Sequence, residues 1–156
     1  MINVDVVSEH KVWIKKIKKI DIFFNTLVQA FPKKYKFIKK KVSLTILLSS
    51  NKNIKKLNKK FRNKNKATDI LSFPSEKKLD IKKSPYIGDI VVSYEFINKP
   101  KALSVQEFKS KIAKIFIHGF LHLLGYDHIG LKDFKKMLVE EEKIYKTVRT
   151  KIVNLV

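Results

Sequence analysis

Hydrophobic positions along the chain change period several times, and each change marks an element. Ile2 to Ser8 alternates loosely and predicts a strand. Val12, Trp13, Ile14, Ile17 and Ile20 recur at helical spacing. Asp21 is placed to cap a helix running through Ala30, which Pro32 stops. Val42 to Ser49 is β-branched and apolar, the pattern of a central strand. Ser50 opens a helix with Ile54, Leu57, Asn58 and Phe61 on one face and lysines on the other. After a polar loop from Asn63 to Ala67, Thr68 to Pro74 reads as a strand ended by proline. Lys77 to Pro85 is a polar hairpin loop, and Ile87 to Ser93 a further strand. Gly88 inside that strand marks a bulge or a close backbone approach. A short helix from Tyr94 to Asn98 is broken by Pro100.

Ser104-Val-Gln-Glu107 matches a capping box, and the helix it opens runs to Leu124. Its early turns carry Lys109, Ser110, Lys111 and Lys114, whereas its last turns are apolar around two histidines. Such a helix enters from the surface and ends inside, and Gly119 lets another backbone pack closely. A final helix from Leu131 to Arg149 has Phe134, Met137, Leu138, Ile144 and Val148 on its inner side. Glu140, Glu141 and Glu142 are expected to stay solvated beside lysines. The outline is β-α-β-α-β-β-α-α, without internal repeat or linker. It predicts an α/β (α+β) fold: one domain over residues 1–156, a mixed, mainly four-stranded sheet packed with helices, and a central histidine-bearing helix.

That helix end carries chemistry. His118 and His122 are four residues apart, one turn from each other on a single helix face. Gly125 can end the helix in a left-handed conformation, and the reversed chain brings His128 toward the same face. Two stacked imidazoles among Ile115, Phe116, Ile117, Phe120, Leu121, Leu123 and Leu124 carry a polar cost that a shared metal removes. Three neutral nitrogens favour Zn²⁺, one ion per chain, although nickel, copper or iron accept them too. Three imidazoles leave a fourth position for water, the arrangement of catalytic zinc. In the zinc-peptidase signature H-E-x-x-H the residue after the first histidine is the glutamate base; here it is Gly119. Asp127 either orients a ligand imidazole or caps the last turn. His10, near the N-terminus, is expected on the surface.

Net charge is +21 and the pI about 10.0, so a polyanion is the expected partner, nucleic acid above all. Abundant Lys, Ile and Asn also fit an AT-rich genome, which explains most of the magnitude. Among 35 basic residues only Arg62 and Arg149 are arginine. Where lysine serves as the general cation, a retained arginine marks a need for planar, bidentate contact, as with phosphate. Arg149 suits the end of the last helix, leaving Arg62 as the candidate. Lys60, Lys64 and Lys66 beside it either track a phosphate backbone or are solvated surface. There is no cysteine, so disulfides and thiolate metal sites are excluded. The N-terminus lacks a signal-peptide pattern and no apolar run spans a bilayer, so no membrane association is expected, and cytoplasm is the expected compartment.

The segment His118-Gly-Phe-Leu-His-Leu-Leu-Gly-Tyr-Asp-His128 resembles the YbeY endoribonuclease family, whose signature H-G-x-L-H-L-x-G-Y-D-H it matches at every specified position. Thr68 to Pro74 is similar to the family's T-D-V-L-S-F-P segment, and Ile87 to Ser93 to its L-G-D-I-x-I-S strand. Leu57-Asn58 through Phe61-Arg62 resembles its L-N…Y-R element, with Phe61 in place of the tyrosine. The resemblance covers roughly residues 40 to 150; the first 40 match only in strand-helix outline. It implies a zinc-dependent, single-strand-favouring endoribonuclease acting in 16S rRNA 3′-end maturation and ribosome quality control. It implies His118, His122 and His128 as metal ligands and Arg62 as the functional arginine. It also implies partners: the 16S rRNA precursor, the small ribosomal subunit with its protein S11, and the GTPase Era. A monomer is the expected state. The other readings are a ribosome assembly factor acting by binding alone, and a metallohydrolase of another class such as a peptidase.

Overall fold

The computed structural model describes residues 1–99, 102–152 and 154. Its elements follow in order: β1 (Ile2–Ser8), α1 (Lys11–Lys16), α2 (Ile20–Gln29), a 3-10 turn (Lys33–Tyr35), β2 (Val42–Ser49), α3 (Asn51–Arg62), β3 (Ile70–Pro74), β4 (Tyr86–Ser93), α4 (Tyr94–Ile97), α5 (Val105–Leu123) and α6 (Leu131–Ile152). The four strands form one mixed sheet in the order β1-β2-β4-β3. β1 and β4 run parallel to β2, and β3 runs antiparallel to β4. The expected four-stranded mixed sheet and its helix cover are both present.

Alternation along β2 sends Val42, Leu44, Ile46 and Leu48 into the main core. There they meet Phe23, Phe24 and Leu27 of α2 and Ile112, Phe116 and Phe120 of α5. Each such fully buried side chain contributes about 1.5–3 kcal/mol of hydrophobic stabilisation. The opposite face is thinner: Ile54 of α3 covers Leu71 and Val91, with Leu57 and Phe73 packed against them. Gly88 resolves as both things its position suggested. The register shifts between Ser43 and Thr45, where β4 carries one extra residue, so that Ile87 and Ile90 both reach the main core. At φ +138, a Cβ on Gly88 would stand 2.3 Å from the Phe73 carbonyl oxygen.

Three expectations need correction. The first helical stretch is broken in two: Ile17 is extended (φ −131), and α2 starts after Lys19, with Asp21 in its first turn and not at its cap. A carboxylate there suits the helix dipole. In α6, Phe134 and Leu138 are 49% and 41% exposed, while Met137, Ile144 and Val148 are buried. The stripe that α5 can cover is narrower than the apolar stripe α6 offers. Glu140 is not solvated; it is buried against the Tyr35 hydroxyl, with Lys34 and Lys143 each 3.4 Å away. Pro100, expected to break the short helix, lies outside the described residues. Among the described residues no helix is long and apolar enough to cross a membrane.

Candidate metal centre

α5 begins with the capping box: Ser104 Oγ accepts from the Glu107 amide at 3.2 Å, and Glu107 Oε2 accepts from the Ser104 amide at 2.8 Å. It ends in a Schellman turn. The Gly125 amide donates to His122 O and the Tyr126 amide to Leu121 O, both at 3.0 Å, with Gly125 at φ +95. This reversal carries His128 back onto the face that holds His118 and His122. One ring nitrogen from each of the three lies within 4.8 Å of the others. His118 Nε2 and His122 Nε2 are 3.1 Å apart.

Two nitrogens on one tetrahedral zinc, each about 2.0–2.1 Å from it, stand roughly 3.3 Å apart. The donor set therefore fits a metal ion. The opposite ring nitrogens are already engaged: His118 Nδ1 lies 2.5 Å from Glu141 Oε1, and His122 Nδ1 lies 2.9 Å from the Tyr126 carbonyl. Those acceptors fix the tautomer that leaves Nε2 as a lone-pair donor. Burial, and then the neighbouring His118 and His128 charges, hold His122 below the ordinary imidazole range. The neutral ring is the form that ligates metal.

Asp127 Oδ1 accepts from the amide of the next residue, His128, at 2.7 Å. Gly119 packs against the sheet. A Cβ there would lie 2.5 Å from Ile70 Cδ1 and 3.0 Å from Ser72 Oγ, so this position faces β3. Any side chain at 119 would have to displace Ile70 or Ser72 of β3.

The histidines open into a groove of 930 Å³ that Arg62, Lys64 and Lys66 also line. Arg62, exposed at the end of α3, donates from Nη2 to the Ser72 carbonyl at 3.0 Å. The groove thus brings together all four candidate site residues. Lys60 does not line it; its Nζ sits 5.2 Å from the Phe61 ring centre. His10 is exposed before α1, and Arg149 lies in the last turn of α6, as expected.

Sequence reasoning missed Glu141. It reads as one of three solvated acids, yet it reaches from α6 to His118 on α5. A signal was available: Glu141 stands one turn after Met137 on the stripe that continues through Ile144 and Val148. An acid interrupting an apolar stripe opposite a histidine helix is a partner for that helix.

The chain is similar to known proteins. The family described as "Endoribonuclease YbeY" matches residues 6–149. The chain is 69% identical over 152 residues to the endoribonuclease YbeY of Pelagibacter ubique, covering 97% of this chain and 99% of that one. It is 40% identical over 103 residues to the endoribonuclease YbeY of Nautilia profundicola, covering 66% and 70%. A Thermotoga maritima protein solved in solution aligns over 97% of this chain and 93% of its own, at 25% identity and a TM-score of 0.45. With the family match spanning nearly every element around the three histidines, the chain belongs to the YbeY endoribonuclease family.

Proposed function

We propose that this chain is a zinc-dependent, single-strand-favouring endoribonuclease, acting late in 16S rRNA 3′-end maturation and in ribosome quality control. The observation that carries the reading is one groove shared by three converging imidazoles and a guanidinium. His118, His122 and His128 hold the ion, an all-nitrogen set that suits zinc. A zinc ion bound there supplies Lewis acidity and a water acidified toward neutrality.

The chain's own side chains do the rest. Glu141 keeps the proton on Nδ1 of His118, so that Nε2 stays a donor to the ion. The Arg62 guanidinium, steadied by the Ser72 carbonyl, holds the scissile phosphate with its other N–H groups and balances charge as it develops. Lys64 and Lys66 follow the backbone without reading sequence. Residues 1–156 work as one domain and as a monomer in the cytoplasm. Family kinship supports the small ribosomal subunit, its protein S11 and the GTPase Era as partners. Peptide hydrolysis is disfavoured because position 119 is a glycine facing the sheet.

The test uses purified protein of measured zinc content and single-stranded RNA spanning the 16S 3′ end. Cleavage lost on chelation and in His122→Ala supports the reading; cleavage that survives both overturns it. A His122→Ala protein that still binds small subunits yet fails to process rRNA excludes action by binding alone.

A further inference from the structure

The groove is not the only surface that meets the three-histidine group. On its other side a niche of 80 Å³ is walled by Phe134, Met137 and Leu138 and bordered by His118, His128 and Glu141. Met137 is buried and forms the floor. Phe134 and Leu138, one turn apart on α6, are 49% and 41% exposed and form the rim. The periodicity of α6 places both on the inner face, yet the described residues leave about half of each side chain open. An aromatic ring half open to solvent and bordering two candidate metal ligands calls for an occupant.

The niche's place in the site indicates which. His118 and His128 border both the niche and the groove that Arg62, Lys64 and Lys66 line, so a strand lying in that cationic groove reaches Phe134 without leaving the site. The carboxylate at the niche, Glu141, is engaged with His118. An exposed aromatic ring beside a cationic groove is the composition of a single-strand nucleic-acid platform, where bases stack and phosphates pair with lysine. The niche is also too small to enclose a large group, so an occupant lies across its rim as on a shelf.

We propose that Phe134, backed by Leu138, is the stacking shelf for the unpaired nucleobase next to the scissile phosphate. The proposal rests on the endoribonuclease reading above. A strand held by Arg62, Lys64 and Lys66 on the groove side passes the three histidines and lays its next base on Phe134. Duplex RNA cannot deliver that base without unpairing it, so the shelf contributes to a preference for single strands.

The experiment compares zinc-loaded wild type, Phe134→Ala and Phe134→Tyr on one labelled single-stranded oligoribonucleotide. Binding is read by fluorescence anisotropy before turnover, and cleavage is read separately. A second set of oligonucleotides carries a single abasic nucleotide at successive positions. Phe134→Ala weakens binding and raises KM on the order of tenfold, the lower part of the stacking range, because the ring is half exposed. Phe134→Tyr stays near wild type. One abasic position weakens wild type by a similar factor and leaves Phe134→Ala unaffected. Equal binding by wild type and Phe134→Ala, or an abasic penalty of equal size in both, overturns the shelf and leaves the rim to a protein contact. Wild type that binds the oligonucleotide but never cleaves it overturns the endoribonuclease reading instead, and anisotropy still decides the shelf.

Discussion

Glu141 on α6 and His118 on α5 meet at 2.5 Å, carboxylate oxygen to Nδ1. This contact joins the long C-terminal helix to the histidine group through one side chain. Glu141→Gln keeps the shape and removes the charge that makes the imidazole a stronger donor. Zinc affinity is expected to fall by roughly 10- to 100-fold, read by competition with a chromophoric chelator. Thermal stability of the metal-free protein should change little, since Glu141 is not part of the apolar core. Unchanged zinc affinity would remove Glu141 from the support of the site.

Arg62 offers a geometric test. Its guanidinium is held on the Ser72 carbonyl at 3.0 Å beside the groove. Lysine has charge without the planar fork, so Arg62→Lys should lose nearly as much as Arg62→Ala. Both should lower kcat by about 10²- to 10³-fold, with RNA binding weakened only by about one phosphate contact. Wild-type turnover by Arg62→Lys would mean that any cation suffices there.

Tyr35 and Glu140 give a pH signature of the fold. The Tyr35 hydroxyl first, and then Lys34, hold the Glu140 carboxyl below its usual range. Burial, and then Glu140, push Tyr35 up. A lowered carboxylate stabilises the fold above its unfolded pKa, about 4.3, and that contribution is lost as pH falls through the folded value. A raised phenol stabilises below its unfolded pKa, about 10, and loses this as pH rises through the folded value. Tyr35→Phe should therefore cost about 1.5–3 kcal/mol at neutral pH. The gap from wild type should narrow in acid, as measured by urea unfolding between pH 3 and 7. A constant gap would show that the bond does not depend on the carboxylate charge.

Much of this fold is legible because its signals are local. The capping box at Ser104, the reversal at Gly125 and the β-branched, apolar run of β2 each depend on neighbours in sequence, and each forms as read. The three histidines converge for the same reason: helix spacing and one tight turn fix them. What was missed depends on how α6 is rotated against α5. Periodicity marks a stripe of Phe134, Met137 and Leu138 but not how much of it a neighbour covers. Three consecutive glutamates look alike in sequence; packing sends Glu140 to Tyr35 and Glu141 to His118. The break between α1 and α2 was hidden because Trp13 and Ile20 keep helical spacing across an extended Ile17.

β3 is an edge strand, paired with β4 on one side only. Unpaired edge backbone is a template for adding a strand from another chain, and soluble proteins blunt it with charge, bulges or cover. Here the Ser72 carbonyl takes the Arg62 guanidinium, and proline closes the strand at Pro74. The cation that faces the groove therefore also guards the sheet against self-association. Loss of Arg62 exposes an open edge as well as an altered site, so its variants should be judged for aggregation alongside turnover.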